Sequence, residues 1–193
     1  MIGYPNRKKP NSTVSSLHTH TGRGMSLERD LNDSNEYYKE SGRALIHKKP
    51  TPIQVVKVDY PQRSAAKITE AYYKTPSTTD YNGIYRGRAV DFEAKETKST
   101  TSFPFKSIHP HQIAHLEQVL QHGGIGFLIL RFTSFNETYM VDAKRMIDLY
   151  HDKSRKSISY TAVKKHGSLI KESFTPRLCY LDNVDELYFK EEH

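Results

Sequence analysis

The chain has 193 residues, with 29 Lys and Arg against 22 Asp and Glu, a formal charge of +7 and ten histidines besides; this suits one domain with an appendage and a polyanionic partner, nucleic acid or an anionic membrane surface. A hydrophobic fraction of 36% and a mean hydropathy of −0.73 predict a modest core, and no apolar run approaches the roughly 20 residues of a membrane-spanning helix. No apolar leader follows the basic N-terminus, and Cys179 is the only cysteine, which excludes an internal disulfide or a thiolate zinc site and suits a reducing cytoplasm.

Residues 1–25 carry Arg7, Lys8, Lys9 and Arg23 with no acid, among Pro, Ser, Thr and Asn, and read as a flexible basic N-terminal arm for phosphates. Residues 26–193 then form the domain proper. Ser26 is a good N-cap for a helix over 27–40, in which Glu28, Asn32 and Asn35 share a flank that faces either a metal site or solvent. A short strand is expected over 44–47 and an alternating one over 53–60, bounded by Pro50 and Pro52. Residues 61–77 interrupt the run of strands. They hold Arg63, Lys67, Tyr72, Tyr73 and Lys74 against the single acid Glu70. Such a segment suits insertion into nucleic acid, where cations neutralise phosphates and tyrosines stack on bases. An amphipathic helix over 65–73, packed on the core, is the competing reading.

Residues 77–98 read as a β-hairpin about Arg86-Gly87, the glycine supplying the positive φ of a tight turn. With a two-residue loop, Tyr85 faces Arg88, Tyr81 faces Phe92 and Asp80 faces Glu93; a three-residue loop would separate the two carboxylates. Alternation puts Asp91, Glu93 and Lys95 on one face and Val90, Phe92 and Ala94 on the other. Opposed carboxylates repel, and a divalent cation with oxygen ligands relieves that repulsion. Lys95 would then orient a water nucleophile or stabilise charge on a reacting phosphate. This is the PD-(D/E)xK nuclease pattern, with Thr79 in place of its proline. A solvated strand face with Glu93 and Lys95 as a surface pair is the plainer alternative.

A polar loop over 100–105 follows, then a helix from Pro110 to about His122, ended by Gly123-Gly124. His109, His111 and His115 read as solvated or satisfied histidines rather than zinc ligands. Strands are expected over 125–132 and 138–141, helices over 143–150 and from Ser159 to about His166, and a short strand with a final helix over 175–189. The order α-β-β-insertion-β-β-α-β-β-α-α predicts an α/β fold, an α+β mixed sheet with helices on its faces.

Several stretches resemble the RecU family of Holliday junction resolvases from Gram-positive bacteria. They are Ser77-Thr78-Thr79-Asp80-Tyr81-Asn82-Gly83-Ile84-Tyr85, Asp91-Phe92-Glu93-Ala94-Lys95-Glu96-Thr97-Lys98 and Thr101-Ser102-Phe103-Pro104. Arg23-Gly24-Met25, Leu27-Glu28, His47-Lys48-Lys49-Pro50-Thr51-Pro52 and His111-Gln112 belong to the same resemblance, which runs in order along nearly the whole chain and weakens after about Leu149. It implies a homodimeric, Mg²⁺-dependent, structure-selective endonuclease, with Mn²⁺ as a substitute, on a restriction-endonuclease-like core with a central mixed sheet. It implies metal ligands at Thr78, Asp80, Glu93 and Gln112, the catalytic lysine at Lys95 and an accessory acid at Glu28. It makes residues 61–77 a protruding stalk that bears Arg63 and enters the junction, and it adds the recombinase RecA as a partner.

The expected activity is therefore symmetric cleavage of four-way junction DNA in recombination and repair. Two equivalent cuts require two sites related by a two-fold axis. A different nuclease of the same fold, cutting linear duplex as well, and a catalytically silent junction-binding or recombinase-modulating protein are the rival classes.

Overall fold

The computed structural model describes residues 26–62, 65–74 and 76–190. The first element, α1 (Leu27–Glu40), starts where Ser26 Oγ accepts the Arg29 N–H. Its stripe of Leu27, Leu31 and Tyr38 is buried. A six-stranded sheet follows, built from β1 (Leu45–Lys48), β4 (Tyr81–Tyr85), β5 (Arg88–Thr97), β7 (Ile125–Phe132), β8 (Glu137–Asp142) and β10 (Ser168–Leu169), with spatial order β1-β4-β5-β7-β8-β10. All neighbours are antiparallel except β5 and β7. A parallel pair needs a crossover, and α2 (Pro110–Gln121) provides it. Three further helices, α3 (Ala143–His151), α4 (Tyr160–His166) and α5 (Tyr180–Tyr188), complete the layers. The mixed α/β sheet flanked by helices is the expected fold class.

The two faces of the sheet are separate cores. Val90, Phe92, Ile125, Phe127 and Ile129 pack with Leu31, Tyr38 and Tyr180 of α1 and α5. Leu128, Leu130 and Phe132 pack with Ile113, Leu116, Met146 and Val163 of α2, α3 and α4. β7 is buried at every residue, as a central strand covered on both faces should be. In register with Leu128 and Leu130, β5 places Glu93 and Lys95. The polar face of β5 therefore looks toward α2.

The β4–β5 hairpin has the two-residue loop. Tyr81 pairs with Phe92 and Tyr85 with Arg88, while Arg86 and Gly87 take φ of 47° and 77°. Those values match the turn whose twist suits a hairpin. The Tyr81 and Phe92 rings stack at 4.8 Å, and Phe92 stacks on Phe127 at 4.7 Å, so aromatic contact locks the register across three strands. At Gly83 a Cβ would lie 2.0 Å from Leu45 O and 2.6 Å from Ile46 Cα, so β1 and β4 approach more closely than any side chain permits.

The helix considered for residues 65–73 is not formed. β3 (Lys67–Tyr73) pairs antiparallel with β2 (Ile53–Asp59) in a sheet of their own. Ile68, Thr69, Tyr72 and Tyr73 are β-branched or aromatic and favour the pleated conformation. The expected strand over 53–60 is thus one half of this hairpin rather than part of the main sheet. Its side chains are exposed nearly throughout, Tyr73 to 85%. β6 (Ser102–Pro104) forms within the expected polar loop and pairs with β9 (Ser157–Ser159), just before the helix expected from Ser159, and a 3₁₀ turn follows β6 at Phe105–Ser107. Among the described residues no helix is long and apolar enough to cross a membrane.

Candidate active site

Glu93 sits in the middle of β5 and has no solvent exposure. Its Oε2 accepts the backbone N–H of Asp80 at 3.1 Å, and its Oε1 lies 2.7 Å from Lys95 Nζ. That oxygen receives no directed hydrogen bond, so the ammonium acts as its counter-charge. Burial pushes the Glu93 carboxyl up to about 7; Lys95 opposes the rise and the neighbouring Asp80 carboxylate adds to it. Asp80 is half-buried just before β4, where its carbonyl accepts the Lys49 N–H at 2.7 Å. The hairpin register thus brings Asp80, Glu93 and Lys95 together, as alternation and a two-residue loop require.

The other residues expected at the site take more varied positions. Thr78 is half-buried, its hydroxyl donating to the Thr79 carbonyl at 3.3 Å. Gln112 is buried in the first turn of α2, and its Oε1 accepts the His109 N–H at 2.9 Å. Its side-chain oxygen therefore caps its own helix. The same turn faces β5: burial lowers the His111 pKa, with His109 and Lys95 adding to the effect and Asp80 opposing it. The His109 and His111 rings stack at 5.4 Å. Among the described residues no group of three or more His, Cys, Asp and Glu side chains forms a cluster able to hold a metal. The groups brought together here are the Asp80 and Glu93 carboxyls and the Lys95 ammonium, while the Gln112 amide and the Thr78 hydroxyl are bonded within their own segments.

Helix α1 borders the site because its Leu27 N–H donates to Glu96 Oε2 at 3.2 Å, tying its first turn to the end of β5. Glu28 lines a cleft of about 370 Å³ with Lys48, Asp80, Lys95 and Glu96, and pairs with Lys48 at 2.5 Å. Of the flank expected to face a metal, only Glu28 lines this cleft. Asn32 accepts the Tyr81 hydroxyl at 3.3 Å, and Asn35 is buried, accepting the Tyr180 hydroxyl.

Lys67, Tyr72, Tyr73 and Lys74 lie on or at the end of the exposed β2–β3 hairpin, where the Tyr72 hydroxyl donates to Glu70 at 2.8 Å. Arg7, Lys8, Lys9, Arg23 and Arg63 lie outside the described residues.

Sequence reasoning missed one constellation. Asp91, 8% exposed, meets Lys49 Nζ at 3.1 and 3.2 Å, the Thr79 hydroxyl and His115 Nε2 at 3.1 Å. Alternation placed Asp91 on the face of Glu93, but its partners come from distant positions that no local period connects.

A family model described as "Recombination protein U" matches residues 22–186. The Holliday junction resolvase RecU of Geobacillus kaustophilus is 53% identical over 196 residues, covering 97% of this chain and 98% of that protein. The protein of the same name from Bacillus cytotoxicus is 50% identical over 197 residues with the same coverage. Among solved structures, the Holliday junction resolvase Hjc of Archaeoglobus fulgidus aligns with a TM-score of 0.43 and 9% identity, over 74% of this chain and 94% of that one. With the model match spanning most of the chain and relatives at half identity over nearly all of it, the chain belongs to the RecU family.

Proposed function

We propose that this chain is a divalent-metal-dependent endonuclease that resolves four-way DNA junctions, acting as a two-fold homodimer in cytoplasmic recombination and repair. The observation that carries the reading is the buried Glu93 carboxylate, held between the Asp80 segment and Lys95 at the centre of the sheet. A fully buried strand position, which ordinarily takes an apolar side chain, here holds an acid countered by Lys95 at 2.7 Å. Relatives at half identity carry the name of junction resolvases.

The residues present fit a hard cation. Asp80 and Glu93 offer carboxylate oxygens, and Thr78 and Gln112 offer neutral oxygens, a set suited to Mg²⁺ or Mn²⁺ rather than to a soft metal. Bound there, such an ion supplies Lewis-acid polarisation of the scissile phosphate. Asp80 and Glu93 would hold it, with Thr78 and Gln112 as the neutral oxygen donors. Lys95 stabilises the charge that grows on the phosphate in the transition state. Glu28, across the cleft, is the accessory acid. The β2–β3 hairpin is the stalk that enters the junction, residues 1–25 are an arm that holds phosphates, and RecA is a protein partner in the same reading.

The test is incubation of the full chain with a synthetic four-way junction and with matched linear duplex, each with Mg²⁺ and with EDTA. Paired symmetric nicks in the junction alone, dependent on Mg²⁺, are expected. Equal cutting of linear duplex would make the chain a general nuclease, and junction binding without any cutting would make it a silent binder.

A further inference from the structure

The metal-site reading leaves one question of geometry. Asp80 precedes β4, and the β4–β5 ladder begins at Tyr81. The β4–β5 ladder thus stops one residue short of Asp80, whose backbone is held by the Lys49 N–H on its carbonyl at 2.7 Å and by its own N–H on Glu93 Oε2 at 3.1 Å, while the direction of its carboxylate depends on the segment before it. In the nuclease pattern a proline stands before this aspartate, and its ring fixes φ there. Here Thr79 takes that place and leaves its own φ free.

Asp91 adds a side-chain restraint on that segment. It shares the α2-facing side of β5 with Glu93, one pleat earlier, and is nearly buried. The Thr79 hydroxyl donates to its Oδ1, immediately before Asp80 in the chain. Lys49 donates to both of its oxygens, at 3.1 and 3.2 Å, while the Lys49 backbone N–H bonds the Asp80 carbonyl at 2.7 Å. His115 Nε2, without a directed hydrogen bond, stands 3.1 Å from Oδ1, one helical turn beyond Gln112 on α2. One carboxylate thus gathers the end of β1, the segment before β4 and the first half of α2. Each of those three segments carries or abuts a proposed metal ligand.

We propose that Asp91 is a positioning residue for the metal site. Through Thr79 and Lys49 it fixes where the Asp80 carboxylate stands, and through His115 it sets α2, with Gln112, at its distance from β5. This inference rests on the reading of Asp80, Glu93 and Gln112 as metal ligands.

The experiment measures Mn²⁺ binding to the DNA-free full chain by electron paramagnetic resonance, and junction cleavage against metal concentration, for Asp91→Asn, Thr79→Val and Thr79→Ser. Circular dichroism checks the fold. Partners behind metal ligands typically contribute tenfold to hundredfold in metal affinity. Asp91→Asn and Thr79→Val should therefore weaken Mn²⁺ by at least roughly tenfold, with cleavage returning toward the parent rate as metal is raised. Thr79→Ser, which keeps the hydroxyl, should match the parent. Unchanged Mn²⁺ affinity in a folded Thr79→Val protein would overturn the proposal, and so would a Thr79→Ser defect equal to that of Thr79→Val. Loss of cleavage in Asp91→Asn that no metal concentration restores would also overturn it, making Asp91 a direct participant. Should Asp91→Asn fail to fold, the Thr79 pair decides the matter. Because Mn²⁺ binding is read without DNA, a parent that binds metal and cuts nothing would reject the nuclease reading while leaving this test intact.

Discussion

At Glu93 burial and metal binding pull in opposite directions. Removal from water favours the neutral acid, whereas a cation needs the carboxylate. With the carboxyl pushed up to about 7, a proton and a divalent ion compete for it near neutrality. Metal affinity should therefore fall by up to about tenfold per pH unit below about 7 and level off above it, which Mg²⁺ calorimetry across pH 5.5 to 8.5 will read. The metal-free protein should show the matching stability change. Its folded-state pKa lies above the ordinary 4.5, so the native state holds the extra proton between those values. Unfolding free energy should fall as pH rises from about 4.5 to about 7, by up to about 3 kcal/mol, and stay flat above. Denaturant melts of Glu93→Gln should lack that slope. Lys95 belongs to the same balance, because its ammonium occupies the Glu93 oxygen that a cation would use. Lys95→Ala should lose cleavage, and because Lys95 opposes the rise of the Glu93 pKa, the variant's metal affinity should level off at a higher pH than the parent's and there equal or exceed it; a collapse on that plateau in calorimetry would make Lys95 a structural residue instead.

At the scale of elements, what was readable from the chain depended on how local the determining signal is. α1 begins at its Ser26 cap and the β4–β5 register follows from Arg86-Gly87 with strict alternation, so Asp80, Glu93 and Lys95 come together as that pattern requires. Residues 65–73 read as an insertion or as an amphipathic helix, and the strand β3 found there is set by pairing with β2, which no local pattern reports. β6, β9 and β10 span two or three residues, too few to show any period. The Asp91 contacts join positions 42 and 12 residues apart, and no local rule reports them. The β2–β3 pairing also changes how a stalk should be removed. Cutting only residues 65–76 would leave β2 unpaired with Ile53, Val55 and Val56 exposed. Replacing residues 53–74 with a short Gly/Ser linker should leave the six-stranded sheet intact, because neither hairpin strand pairs with it. Tyr72 and Tyr73 offer stacking of roughly 1–3 kcal/mol per base, available at an open junction and not in linear duplex. The shortened protein should therefore lose its junction-over-duplex preference at fixed salt; retained preference in a folded protein would place selectivity elsewhere.

For the whole molecule, a charge of +7 makes binding to a polyanion strongly dependent on salt. Arg7, Lys8 and Lys9 contribute three of those charges. Deleting residues 1–22 should lower the slope of log affinity against log salt by roughly 2–3 if all three contact phosphates. An unchanged slope across a salt titration would show that this stretch does not touch DNA.

The close approach at Gly83 has an evolutionary consequence. No flexible side chain can yield there, since the atoms in the way are the backbone of Leu45 and Ile46. Even Gly83→Ala must push β1 bodily outward, and β1 ends at Lys48, which meets Glu28, beside Lys49, which meets Asp91. A single methyl group on the far strand would thus reach the proposed metal site through the main chain. The prediction is a variant that loses both melting temperature and Mn²⁺ affinity, whereas Ile84→Ala next door, 57% exposed, loses neither. Drift along this strand is therefore steeply uneven: one position tolerates nothing, its neighbour almost anything, and the barrier at the first is mechanical rather than chemical.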